Sequence, residues 1–277
     1  MQLVKRVRNF VTSPRPVQIA LRVGARRGII PRAAQLKLAP VGKHPLSSPA
    51  GNRFTYVADL SDVLARSLIW DDLATWERSS LDVFSDLVRN AQLMADVGAY
   101  TGIYSLIACA DGPGDVIAFE PNPAVIPLLE ANLAVNGWER RVTVVPMGVS
   151  DVAGAASLAI PSDVTAAQVT GVGVGVPIEL VTIDQVIGGR HVDVMKLDVE
   201  GLELQALRGA SETIAGSHPA IIVETLSADA FNDVQEALRR FGYRRCLHLG
   251  SRGPIVADEW IKDPGHANNV WFFGSGL

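Results

Sequence analysis

Met94-Ala95-Asp96-Val97-Gly98-Ala99-Tyr100-Thr101-Gly102-Ile103 is the stretch whose reading decides the fold. The short apolar run Ala91 to Ala95 ends at Asp96, and a loop bearing two glycines follows it. Ile103 to Ala110 is apolar over a helical length and stops at Asp111-Gly112-Pro113-Gly114. A second run, Val116-Ile117-Ala118-Phe119, ends in another carboxylate, Glu120. Strand, glycine turn, helix, turn, strand and acid make the first βαβ unit of a nucleotide-binding sheet.

The loop discriminates between cofactors. A dinucleotide fold needs G-x-G-x-x-G, whose second glycine lets the backbone approach a pyrophosphate. Tyr100 fills that position here, leaving Gly98 and Gly102, and Asp96 beside the loop would repel a pyrophosphate. The same acid suits S-adenosylmethionine, whose amino group and sulfonium are both positive. Glu120, ending the next strand, can accept both ribose hydroxyls. A glycine turn can also serve packing alone; an acid at the end of each of two consecutive strands favours the cofactor.

Working outward, Pro121-Asn122-Pro123 reads as a helix entry, followed by a helix from Leu128 to Asn136 and a stop at Gly137; Pro127 fits if the helix starts near it or kinks there. Val142 to Val145, Val192 to Asp198, Ala220 to Val223, Tyr243 to Leu249 and Val270 to Phe273 complete a seven-stranded, doubly wound α/β sheet. Ala155 to Ile160 and Pro177 to Thr182 read as two further strands, separated by a glycine-rich loop too long to be idle. In such sheets ligands sit beyond the carboxyl ends of the strands, where Asp96, Glu120, Asp198 and Glu224 fall.

Residues 1–78 read as a basic N-terminal extension and 79–277 as the catalytic domain. Eleven Lys or Arg and no acid precede Asp59, although the whole chain carries a net charge of −4. The rest of the chain is therefore acidic, and the basic head is expected to dock on it or to touch an anionic membrane weakly. Prolines 31, 40, 45 and 49 break the head into loops and turns, with Asp62 to Trp70 and Leu81 to Val88 as helices leading into the core. Val7, Phe10, Val11, Ile19, Leu21, Ile29 and Ile30 are expected to be buried. Two cysteines without metal spacing, no long apolar run and no secretory h-region make the cytoplasm the default expectation.

The chain resembles the FkbM-type methyltransferases from about Asp96 to Glu224. Asp96-Val97-Gly98-Ala99, Phe119-Glu120-Pro121-Asn122-Pro123, Asn132-Leu133-Ala134-Val135-Asn136-Gly137 and Gly148-Val149-Ser150-Asp151 carry the likeness, followed by Thr182-Ile183-Asp184. Most specific is Lys196-Leu197-Asp198-Val199-Glu200-Gly201-Leu202-Glu203, close to K-I-D-V-E-G-x-E, with Leu207-Arg208-Gly209-Ala210 continuing it. Tyr100 stands where that family usually carries Asn. The resemblance implies a Rossmann-like class I methyltransferase fold and transfer of a methyl group from S-adenosylmethionine to a hydroxyl of a sugar, glycolipid or secondary metabolite.

The candidate cofactor residues are Asp96, Gly98, Tyr100, Gly102, Glu120, Asn122, Ser150 and Asp151. Asp198 is the first candidate for general base, with Glu200 and Glu224 in reserve. Lys196, Asp198 and a continuing Glu200 would share one side of a strand, where an internal ion pair competes with the functional reading. A divalent ion on Asp198, Glu200 and Glu224 is the minority reading, and no metal is assigned. His248 is expected to be a packed or surface histidine rather than a base, and Asp184 to cap a helix. A nicotinamide-dependent oxidoreductase and a non-catalytic binding module are the alternative functions. An acidic body without an N-P-P-Y type motif disfavours nucleic acid as acceptor.

Overall fold

Residues 42–58 fold into a hairpin rather than loops: β1 (Gly42–Ser47) pairs antiparallel with β2 (Arg53–Ala58). Leu46, Phe54, Tyr56 and Ala58 alternate inward as in any half-buried strand, a pattern the surrounding prolines obscure. Pro45 is tolerated because both strands of a two-stranded sheet are edges. The computed structural model describes residues 17, 20, 21, 23, 24, 27–31, 41–59, 62, 64–70, 73–159, 168–170, 173, 175–265 and 267–274.

Two short helices, α1 (Ala65–Leu68) and α2 (Arg78–Val88), follow the hairpin. The hairpin, α1 and α2 join one apolar cluster: Leu46, Phe54, Tyr56, Leu68, Leu81, Phe84, Met94 and Ile107 all belong to it. Among the described residues, this cluster runs across position 78. Of the head residues expected to be buried, Ile29 is 71% exposed, while Leu21 and Ile30 are half-buried. Val7, Phe10, Val11 and Ile19 lie outside the described residues.

The quoted stretch begins the main sheet: β3 (Leu93–Val97), α3 (Ile103–Asp111), β4 (Asp115–Phe119), α4 (Ile126–Ala134) and β5 (Val142–Val145). Pro127 sits in the first turn of α4, where its missing N–H leaves no bond unmade. Asn132 and Asn136 of α4 clamp the hairpin. Val57 N donates to Asn132 Oδ1 (2.6 Å), Thr55 N to Asn136 Oδ1 (2.8 Å), and Asn136 Nδ2 to the Thr55 carbonyl (2.7 Å).

The chain then leaves the main sheet. β6 (Gly148–Val149), β7 (Gly154–Ala159), β8 (Gln168–Thr170) and β9 (Val176–Val181) form a second sheet in the order β6-β9-β7-β8. It returns through α5 (Ile183–Ile187), β10 (Val194–Leu197), α6 (Glu203–Arg208), α7 (Ser211–Ser217), β11 (Ala220–Glu224), α8 (Ala228–Arg240), β12 (Tyr243–Gly250), β13 (Gly253–Val256) and β14 (Asn268–Phe273). The main sheet runs β13-β12-β14-β11-β10-β3-β4-β5, so all seven expected strands are present and β13 adds an eighth at the edge. β5, β4, β3, β10 and β11 are parallel, and β14 is inserted antiparallel between β11 and β12. The order reverses at β3, between β4 and β10, and the carboxyl ends of these strands form the ligand crevice of a doubly wound sheet.

Asp184 is a cap, but for a later helix, α7. Its carboxylate accepts from Thr213 N (2.8 Å) and Glu212 N (2.9 Å) at the start of α7, while Thr182 caps α5 in a capping box. Among the described residues, no helix is long and apolar enough to cross a membrane.

Candidate active site

A cavity of about 320 Å³ opens at the carboxyl ends of β3, β4, β10 and β11. Its floor is the glycine loop. Gly98 adopts φ +83, and a Cβ there would lie 1.8 Å from the carbonyl oxygen of Asp198. Only glycine lets the β3 and β10 ends approach this closely. Gly102 also has a positive φ; a Cβ there would meet Leu129, and the residue does not line the cavity.

Glu120 is held ready at the end of β4. Its Oε2 accepts from Tyr100 N (2.7 Å) and its Oε1 from Asn122 N (2.8 Å). Burial pushes this carboxyl up from 4.5 to about 7, against the pull of those two N–H groups. Each oxygen keeps a lone pair for a ribose hydroxyl. Tyr100 contributes through its main chain, in the left-handed region at φ 48, where Asn is more easily accommodated. Asn122 lines the same wall, and its Nδ2 is buried with no hydrogen-bond partner among the described residues. An orphaned buried donor beside a bidentate carboxylate fits a nucleoside.

Asp96 is engaged differently from the sequence expectation. It lines the cavity but is only 2% exposed, and Ser105 Oγ donates to its Oδ2 at 2.6 Å. A further bond from the Ser105 backbone makes it the cap of α3, and burial pushes it up to about 6. Ser150 and Asp151 do not line the cavity. Pairing of β6 with β9 carries the chain away from the main sheet before them, and exposed Asp151 lies 4.0 Å from Arg208. Met147, Gly148 and Val149 line the wall in their place, with Leu158 and Val169 of the second sheet. Residues 160–167 of the glycine-rich loop are outside the described residues.

The opposite wall carries acids around one lysine. Lys196, 1% exposed, sets its Nζ 3.2 Å from Asp198 Oδ2 and 5.2 Å from the centre of the Tyr104 ring. Burial works against its charge, but the carboxylates of Asp198, Glu77 and Glu224 outweigh burial and leave it protonated. Strand β10 ends at Leu197, so strand alternation does not reach Glu200. A left-handed turn at Glu200 (φ 50) and Gly201 (φ 95) returns that carboxylate to the cluster. Carboxylate oxygens of Asp198, Glu200 and Glu224 consequently lie within 4.8 Å of one another, the described group whose spacing would admit a cation. Burial, and then the charge of Asp198, push Glu224 up to about 8.

Glu77 belongs to this wall and was not singled out in the sequence. It precedes α2 in no recognisable motif, where an acid reads as a helix cap, yet it makes no cap bond and lines the cavity beside Trp76. His248 is off the cavity, buried and bonded through Nδ1 to Asn269 Oδ1 at 3.1 Å, the packed one of the two placements expected.

The sheet order and the carboxylate-walled crevice are those of a class I methyltransferase. A profile of the Methyltransferase FkbM domain matches residues 96–245, more than half of the chain, and the chain belongs to that family of S-adenosylmethionine-dependent methyltransferases. Methyltransferase sdnD of Sordaria araneosa is 28% identical over 182 residues, covering 52% of this chain and 70% of that protein. The crystal structure of methyltransferase FkbM from Methylobacillus flagellatus KT is 18% identical with a TM-score of 0.49; the match covers 78% of this chain and 56% of that one. An S-adenosylmethionine-dependent O-methyltransferase from Thermotoga maritima gives 13% identity and a TM-score of 0.46, over 84% of this chain and 78% of its own.

Proposed function

We propose that the enzyme O-methylates a sugar, glycolipid or secondary-metabolite hydroxyl, with S-adenosylmethionine in the cavity between Glu120 and Asp198. The observation that carries this reading is the pairing of a nucleoside wall, Glu120 and Asn122, with a proton-accepting wall built on the Lys196–Asp198 ion pair. When bound, the cofactor supplies an electrophilic methyl group on its sulfonium. Glu120 would hold the ribose, with Gly98 letting the ends of β3 and β10 close the cavity floor beside it.

On the other wall, the ion pair with Lys196 keeps Asp198 in one position. Asp198 is then the acceptor of the proton that the substrate hydroxyl releases as its oxygen bonds to carbon. Glu224, pushed up to about 8 by burial and the Asp198 charge, helps to orient the hydroxyl or Asp198. The sulfonium is already a good leaving group, so alignment of the hydroxyl is the larger part of what these residues contribute. Mass spectrometry of a panel of glycolipid and metabolite hydroxyls, with labelled methyl donor, tests the class of acceptor. Label transferred only to nitrogen or carbon would overturn the reading.

The raised Glu120 makes binding pH-dependent. A folded-state value above the ordinary one adds stability to the ligand-free protein that is fully present below about 4.5 and lost as pH rises through about 7. Ribose hydroxyls need the ionised form, so affinity runs the other way. S-adenosylmethionine should bind about tenfold more weakly for each pH unit below 7 and level off above it. Calorimetry at pH 6 in buffers of different ionisation enthalpy should detect proton release on binding. PH-independent affinity with no proton release would remove Glu120 from the ribose site.

A further inference from the structure

We propose that Glu77 is an additional cofactor-binding residue, whose carboxylate takes the methionyl ammonium group of S-adenosylmethionine. The inference rests on the cofactor reading above and extends it by one residue that lies outside the matched family region.

A bound S-adenosylmethionine brings an ammonium group that needs a carboxylate with a free oxygen. Asp96, the acid nearest the glycine loop in sequence, is nearly inaccessible and is engaged by Ser105 at the start of α3. Both oxygens of Glu120 already take a main-chain N–H, and that residue stands on the ribose side. Asp198 is paired with Lys196. Glu77 also feels the Lys196 charge, but it is held by neutral donors and on one oxygen only. Its two hydrogen bonds, from Tyr104 Oη (2.7 Å) and Asn268 Nδ2 (2.8 Å), both end on Oε2. Oε1 accepts none among the described residues, and Glu77 lines the cavity.

Location agrees with this assignment. Tyr104 lies in the first turn of α3, directly after the glycine loop, so its bond to Glu77 ties the carboxylate to the helix N-terminus. That terminus attracts the methionyl carboxylate, and the ammonium is attached to the same carbon atom as that carboxylate. Glu77 also holds a left-handed backbone, φ 43 and ψ 34, without glycine or a cap bond to favour it. Strain of this kind persists where surrounding structure enforces it, commonly at ligand clamps. Tyr104 and Asn268 are the groups that fix the side chain here.

The test compares two ligands that share the thioether-linked adenosine. S-adenosylhomocysteine carries the ammonium without the sulfonium charge, and 5′-methylthioadenosine lacks the whole amino-acid part. By calorimetry, Glu77→Gln should weaken S-adenosylhomocysteine about tenfold or more and leave 5′-methylthioadenosine within about twofold. Equal loss of both ligands, or loss of neither, overturns the proposal. Should Glu77→Gln fail to fold, a crystal structure of the wild-type protein with S-adenosylhomocysteine decides. It should show the ammonium within hydrogen-bond distance of Glu77; an ammonium bonded elsewhere overturns the assignment. A wild-type protein that binds neither ligand would instead sink the cofactor reading itself.

Discussion

Asp198→Asn is expected to lower turnover by about 10²–10⁴-fold at saturating cofactor, the usual loss when a positioned general base is removed. The substitution keeps the shape of the side chain but cannot take the hydroxyl proton. It also leaves Lys196 buried without its closest counter-charge, 3.2 Å away, so folding must be checked by thermal melting. Cofactor affinity measured in parallel separates the roles. Weakened binding with unchanged turnover at saturation would make Asp198 a cofactor ligand and not the base.

Gly98→Ala should be the most destabilising single-methyl change at the site, and its effect is on folding rather than chemistry. Alanine at φ +83 is strained, and its Cβ would meet the Asp198 carbonyl oxygen at 1.8 Å, where main chain rather than a flexible side chain must yield. Together these cost about 3 kcal/mol or more. For a domain of this size the melting temperature should fall by about 6 °C or more. A melting temperature within about 2 °C of wild type would mean that β3 and β10 do not approach as closely as the cavity floor requires.

Much of the sheet was legible because each parallel strand is a short apolar run ended by an acid or a turn. Asp96, Glu120, Asp198 and Glu224 could be placed at one end of the sheet from topology alone, and all four line the cavity. The hairpin at 42–58 was not legible, because its alternation is interrupted by prolines and it is clamped by Asn132 and Asn136, about eighty residues away. Edge strand β13 is four residues long and contains Pro254, too little signal for a strand.

The state of each acid was less legible than its position. That Asp96 is engaged by Ser105 depends on the pitch of α3. That Glu200 rejoins Asp198 depends on a left-handed turn that a non-glycine residue rarely adopts. Ser150 and Asp151 follow a matching motif, yet β6 pairs into the second sheet and takes them off the wall. Glu77 could not be found by spacing, because only the folded chain brings it to Tyr104 and to Asn268, 191 residues away in sequence.

Calorimetric titration of S-adenosylmethionine into wild-type and Glu120→Ala proteins, with NAD and NADP as controls, tests the cofactor assignment most directly. The predicted result is a single S-adenosylmethionine site in the wild type, weakened at least about tenfold in a folded Glu120→Ala protein, with no dinucleotide binding. Binding of NAD or NADP at this site, or unchanged S-adenosylmethionine affinity in folded Glu120→Ala, would contradict it.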